Sequence, residues 1–550
     1  MPLTPSAHVD TFCRDHLPPA DQFPELEFTR PELAYPDRLN CAEALLTETI
    51  DRFGADRPCL LPQGPDDPVW SYGDLARVAN QIAHVLTDDL GLVPGSRVLL
   101  RGPNNPWMVA CWFGVVLAGG VAVTTMPLLR AAEIETICDI AQVGLALCDE
   151  RFTADLEAAQ VADLRTVAFD GTAPASGGIT TSGLQALARG KPADFTPIRT
   201  AADDVAMIAF TSGTTGRPKA AMHFHRDVLA VADTFSAHVL KPTPDDVFAG
   251  SPPLAFTFGL GALLIFPIRA GASTLLIERA TPAELADYIA HRGVSVVSTA
   301  PTAYRAMLAA GKAEQLRKLR RPVSAGETLP GSVWHAFHEA TGVKIIDGIG
   351  STELLHIFIS AADDEIRPGA TGLPVPGYRA EVHDEHGLPV PDGQPGRLAV
   401  KGPTGCKYLA DERQRNYVAG GWNYPGDTYI KDSDGYFWYQ ARSDDMIVSS
   451  GYNIAGPEIE EVLLGHPAVS ECGVVGVPDE TRGQIVKAFV VLADGAEPGP
   501  ERVTELQELV KAKIAPYKYP RAIEFLPALP RTNTGKLQRF KLRESGLDSR

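Results

Sequence analysis

Residues Thr211–Lys219 read TSGTTGRPK and follow the apolar run Val205-Ala-Met-Ile-Ala-Phe210. Six of these nine residues are Gly, Ser or Thr, so a strand is expected to run out into a loop of small hydroxyls and unobstructed amides. Such a loop can cradle phosphate. Gly213 and Gly216 let the backbone approach a polyanion, and Thr211, Ser212, Thr214 and Thr215 can donate to phosphate oxygens. Lys219 adds a point charge. The Walker pattern ends Gly-Lys-Ser/Thr and opens a helix, whereas here Arg217-Pro218 precedes the lysine, so a kinase or ordinary ATPase loop does not fit. On composition alone, a plain turn is the alternative.

Outward from this loop the chain reads as alternating strands and helices. Upstream, Arg97–Leu100 and Val143–Leu147 suit strands and Tyr72–Leu86 a helix. Pro103–Leu129 carries no charge and is long enough to span a bilayer. Gly119-Gly120 divides it, and a helix over Trp107–Leu117 followed by a strand over Val121–Thr125 is the reading preferred to a membrane span. Residues 1 to about 50 are Pro-rich and suit an irregular surface arm, and Gly171–Pro197 a projecting loop. Downstream, helices over His225–Val239 and Pro282–His291 alternate with strands over Ser273–Ile277 and Val294–Ser298. From Gly369 the runs shorten, as in Tyr378–His383 and Gly396–Val400, which suits a small β subdomain. Past Arg442 a compact α+β unit is expected, with a helix over Pro457–Leu464 and strands over Glu471–Val477 and Ala488–Leu492.

Bulk properties narrow the function. The 550 residues suffice for several domain-sized units. A net charge of −18 argues against broad nucleic-acid or anionic-membrane binding. From Lys511 onward, however, ten Lys/Arg face three Asp/Glu, an excess of +7 that suits an anionic ligand. The eight cysteines form no CxxC pair and no ligand-like group, so buried reduced thiols are expected. The start lacks the basic-then-apolar order of a secretory signal, which makes the cytoplasm the expected location.

The full nine-residue string resembles the signature loop of the AMP-forming acyl-CoA synthetases, within the adenylate-forming superfamily, and further stretches match in the family's order over roughly residues 50 to 545. The resemblance implies an α/β fold with a large N-terminal domain, residues 1–441, of two doubly wound α/β subdomains plus a small β subdomain. A mobile α+β C-terminal domain, residues 442–550, follows it. In Asp347-Gly-Ile-Gly-Ser-Thr-Glu353, Thr352 would contact the α-phosphate and Glu353 would hold Mg²⁺. Gly326, Glu327, Asp347 and Gly348 join the nucleotide set by the same match, and Ile349 stands where the family has an adenine-stacking aromatic. Asp427 and Arg442 would contact the ribose, Asp444 would be the hinge, and Gly451 would line the CoA channel, where a Cβ obstructs. Lys536, in Pro530–Leu537, would bridge the carboxylate and α-phosphate.

The co-substrates implied are ATP and CoA. Asp347–Ser360, Ser324–Pro330 and Pro253–Gly261 resemble the benzoate-CoA ligase branch beyond the shared core, so a flat aromatic acid is expected, benzoate or 2-aminobenzoate. Phe256, Phe258, Gly259, Gly350 and His356 are the pocket candidates, with core filling as the alternative for each ring. The stretch Ala221–Asp227 looks most like 2-aminobenzoate ligases, with His225 ordering the loop rather than acting in acid-base chemistry. Two other readings remain: a stand-alone enzyme loading a carrier protein, and a non-catalytic nucleotide-binding protein. The chain would act as a monomer or homodimer.

Overall fold

The computed structural model describes residues 3–64, 66–175, 183–211, 217–442, 445–449, 452–479, 482–514, 516–532 and 536–548. Within them lie two large α/β sheets, one antiparallel sheet and a smaller C-terminal sheet. In the first sheet, Arg165–Phe169, Leu145–Asp149, Arg97–Arg101, Val121–Thr125 and Val205–Thr211 are parallel neighbours in that order. Lys219–Phe224 closes the edge antiparallel to Val205–Thr211. Helix Pro106–Leu117 is buried along its whole length and starts at Asn105, whose side chain accepts from the Met108 amide. Its apolarity is therefore that of a core helix between layers, and among the described residues no helix is long and apolar enough to cross a membrane.

The second sheet has nine strands, with Arg321–Ser324, Val296–Thr299, Val247–Gly250 and Ser273–Leu275 at its parallel centre. Its far edge is built from Pro58–Leu61 and Trp70–Ser71. Chain order thus does not separate the two units: residues 58–71 pair across to a sheet formed mostly after residue 247. The β subdomain is the antiparallel sheet spanning residues 379–442, and the last sheet combines Val469–Asp479 and Gly483–Leu492 with three short strands.

Local signals explain most elements. Helix Tyr72–His84 has a Ser71/Asp74 capping box, and helix Pro282–His291 has a Thr281/Glu284 box with Pro at its first position. The irregular arm expected over residues 1 to about 50 ends earlier, at a helix over Cys41–Phe53 capped by Asn40 and stopped by Gly54 at φ +94°. The arm itself is fastened: Ala7 N–H donates to Asp204 and Arg14 pairs with Asp203. The helix from His225 is α-helical only to Val231 and continues as a π-helical segment over Ala232–Leu240. Further π-helical segments span Val85–Asp89 and Gly261–Ile265. All eight cysteines are free and buried.

Candidate active site

The hairpin that carries the glycine-rich loop brings Thr211 opposite Lys219. Ser212, Gly213, Thr214, Thr215 and Gly216 lie outside the described residues. Lys219 Nζ stands 3.4 Å from Glu353 Oε1 and over the rings of Tyr408 and Tyr417, at 4.8 and 5.9 Å from their centroids. Tyr408 donates its hydroxyl to the same Glu353 oxygen. Glu353 is 5% exposed, so these donors offset the cost of burying its charge. Ser351 and Tyr417 share a hydroxyl–hydroxyl hydrogen bond of 2.9 Å beneath the pair.

Glu353 projects from the turn after strand Ile346–Gly350, in which Leu355 holds φ +72° while fully buried. Such a conformation is costly for leucine and persists only where packing dictates it. Thr352 accepts from the Leu355 amide at 3.2 Å and so closes the turn. On the strand, Gly348 is buried, Ile349 is half-buried against the core, and Asp347 keeps Oδ1 sealed from solvent without a hydrogen-bond partner. Burial pushes the Asp347 carboxyl up to about 8, against the Gly348 amide and the Ser324 hydroxyl.

Asp427 and Arg442 face each other on paired strands, with Arg442 Nη1 3.3 Å from Asp427 Oδ1. Lys536 arrives from the C-terminal unit, in the segment whose ends Arg531 and Leu537 pair. A Cβ placed on Gly326 would lie 3.9 Å from Lys536 Cε, so the lysine stem crosses directly over Gly326. Lys536 as a residue is exposed to solvent, and its ammonium lies among the charges of Arg442, Asp427, Glu327 and Glu353. Burial and the like charge of Arg442 lower its pKa, and Asp427, Glu327 and Glu353 oppose that shift. Glu327 is held by Arg531 at 3.1 Å, and Arg531 also reaches Glu471 at 2.6 Å. Burial raises the Glu327 carboxyl, with Arg531 working against it. Asp444 and Gly451 lie outside the described residues.

Of the aromatic candidates, Phe258 packs on His356, joined there by Phe235 and Phe266, whereas Phe256 is not among the rings in contact with His356. The His356 ring centroid is 4.5 Å from Phe266, 5.5 Å from Phe235 and 5.7 Å from Phe258. Burial lowers the His356 imidazole to about 3, so it is a neutral ring rather than a counter-ion for a carboxylate. Phe235 comes from the π-helical segment Ala232–Leu240, and Gly261, at the start of the one over Gly261–Ile265, lies so close that a Cβ would be 2.3 Å from the His356 ring. Phe256 and Phe258 are half-buried at the start of helix Thr257–Leu260. Gly259 and Gly350 are required by packing: a Cβ on either would meet backbone, 2.0 Å from the Pro253 oxygen or 2.7 Å from that of His356. His225 accepts from the Cys41 amide at 3.1 Å and is also lowered to about 3 by burial. It thus tethers the first turn of helix Cys41–Phe53 and stays neutral.

Two features of the site have no local sequence signature. Tyr408 is brought to Glu353 by a segment that lies along the edge of the first sheet, where Met222 N–H donates to Lys407 O and Leu409 N–H to Ala220 O. Phe235, within the π-helical segment Ala232–Leu240, and Phe266, directly after the one over Gly261–Ile265, both reach His356.

The model of the AMP-binding enzyme family matches residues 46–408, and that of the AMP-binding enzyme C-terminal domain matches residues 458–536. The chain is 34% identical over 524 residues to benzoate–CoA ligase of Thauera aromatica, covering 94% of this chain and 98% of that protein. It is 32% identical to 3-hydroxybenzoate–CoA ligase of Aromatoleum sp. (strain CIB), covering 92% and 97%. The crystal structure of the anthranilate CoA ligase AuaEII in complex with anthranoyl-AMP superposes with a TM-score of 0.87 at 34% identity, covering 94% of this chain and 99% of that one.

Proposed function

Since the chain belongs to the AMP-binding enzymes, in their benzoate–CoA ligase branch, and is an ATP-dependent, AMP-forming aryl-CoA ligase, we propose that its acid is 2-aminobenzoate or benzoate. What supports the reading is that Lys219 stands 3.4 Å from Glu353, that Glu327, Glu353 and Asp427 are the acidic neighbours of Lys536, and that the ring cluster of His356 starts three residues along the chain from Glu353. A neutral imidazole among three phenylalanines favours a flat, largely apolar acid. Anthranilate and benzoate are the acids in the names of similar proteins.

The donor set fits a metal that arrives with the nucleotide. Among the described residues no three His, Cys, Asp or Glu side chains group as a metal site. Glu353 instead offers a single carboxylate, with Oε1 taken by Tyr408 and Lys219 and Oε2 left over, which suits Mg²⁺ shared with phosphate oxygens. When bound, Mg²⁺ would supply charge neutralisation on the phosphates.

A carboxylate is a poor electrophile, so the first step must convert its oxygen into a leaving group. The substrate oxygen attacks the α-phosphorus of ATP and the bond to pyrophosphate breaks. Lys536 would offset negative charge on the carboxylate and α-phosphate, Thr352 would hold the α-phosphate, and Lys219 with the Thr211–Gly216 loop would hold the outer phosphates. Asp427 would accept from the ribose hydroxyls, beside Arg442, while Gly326, Glu327, Asp347 and Gly348 would frame the base. In the second step the CoA sulfur, after losing its proton to solvent, attacks the acyl carbon and AMP departs. Lys536 occupies the site needed for one reaction only, so the C-terminal unit would turn about Asp444 and present Gly451 to the thiol. Mass spectrometry of products from 2-aminobenzoate, benzoate, hydroxybenzoates and short fatty acids tests the substrate assignment. Preferential turnover of a fatty acid would overturn it.

A further inference from the structure

Tyr408 is 1% exposed, and its backbone is fixed on two sides. Its amide donates to Gln414 Oε1 at 2.9 Å, and it forms an antiparallel bridge with Ala221. The preceding residue, Lys407, makes a fully buried ion pair with Asp227 at 2.9 Å and donates to the Gly405 carbonyl at 2.7 Å. A buried pair of this kind resists displacement, because moving either partner strands the other charge. The phenol is therefore delivered to one place. Its hydroxyl meets Glu353 Oε1, and its face lies 4.8 Å from the Lys219 ammonium. Tyr417, packed edge-on against Tyr408 at 5.9 Å between ring centroids, completes the aromatic seat.

We propose that Tyr408 is a positioning residue for adenylation. Its hydroxyl fixes the Glu353 carboxylate through Oε1 so that Oε2 is presented to the cation that ATP carries, and its ring holds Lys219 beside Glu353 until phosphate oxygens compete for the ammonium. Before nucleotide binds, Lys219 thus serves as the counter-charge that makes a buried Glu353 tolerable. The inference rests on the assignment of Glu353 and Lys219 to the nucleotide site.

Tyr408→Phe removes one hydroxyl and keeps the ring, so the fold and the seat for Lys219 remain. Binding of Mn²⁺ with a non-hydrolysable α,β-methylene ATP analogue is followed by electron paramagnetic resonance, without acid or turnover. The variant is expected to bind about tenfold more weakly, as loss of one charge-assisted hydrogen bond implies. KM for ATP should rise in parallel, with little change in thioester formation from supplied aryl-AMP or in melting temperature. Glu353→Gln should weaken Mn²⁺ binding by itself, and adding Tyr408→Phe to it should cost little more. Wild-type Mn²⁺ binding by Tyr408→Phe, with Glu353→Gln impaired, overturns the positioning role alone. Equal loss of both half-reactions with a lowered melting temperature also overturns it. Wild-type binding by Glu353→Gln would instead overturn the nucleotide assignment beneath it.

Discussion

Glu327→Gln perturbs one of the contacts between the C-terminal unit and the rest of the chain, beside that of Arg305 with the Ser470 carbonyl. Arg531 Nη1 stands 3.1 Å from Glu327 Oε1, with the two side chains 28% and 18% exposed. Arg531 keeps its second partner, Glu471, at 2.6 Å when Glu327 changes. A charge-assisted hydrogen bond at such a site contributes about 1.5–3 kcal/mol, and a neutral amide retains roughly half of it. Glutamine also relieves the burial that raises the Glu327 carboxyl, so the net loss is about 1 kcal/mol, or roughly a fivefold smaller docked population. Adenylation, measured by pyrophosphate release, should fall about fivefold by this estimate, while thioester formation from supplied aryl-AMP holds or rises. Arg531→Met, on the other side of the contact, should show the same split. If both half-reactions fall together, or neither changes, the Arg531–Glu327 contact does not govern domain position.

Lys536→Ala should lower adenylation by about 10²–10³, the usual loss when a preorganised charge is removed, and leave thioester formation from aryl-AMP largely intact; equal loss in both assays would refute its role. Gly451→Trp should do the reverse, with aryl-AMP accumulating on mass spectrometry, and a primary loss of adenylation would sink the channel assignment. Asp347, pushed up to about 8 by burial, binds its proton more tightly folded than unfolded. Its contribution therefore destabilises the protein progressively as pH rises from about 4 to about 8. Asp347→Asn should lose less melting temperature between pH 5 and pH 8 than the wild type, and parallel curves would contradict the shift.

Elements with local signals were legible in the sequence. The boundaries of Pro282–His291 follow from Thr281, Pro282 and Glu284, and the charge-free stretch from Pro103 divides at its glycines into the expected helix and strand. The helix over Cys41–Phe53 carried usable signals in Asn40, Glu43 and Gly54, which the prolines nearby obscured. Pairing was harder to read. Nothing in Pro58–Leu61 indicates that its parallel neighbour is Ser273–Leu275, because register across two hundred residues is set by packing rather than by local pattern. The site divides in the same way. Lys219, Glu353, Asp427 and Lys536 announce themselves through motifs, whereas the Tyr408 hydroxyl, the Arg531–Glu327 contact and the rings around His356 depend on long-range packing.

An enzyme of this kind activates an aromatic acid through its adenylate and passes the acyl group to CoA. The most direct test is mass spectrometry of the products formed by purified protein with ATP, Mg²⁺ and 2-aminobenzoate or benzoate, with and without CoA. Aryl-AMP is expected without CoA, and aryl-CoA, AMP and pyrophosphate with it. Aryl-AMP that persists undiminished when CoA is added would contradict this route.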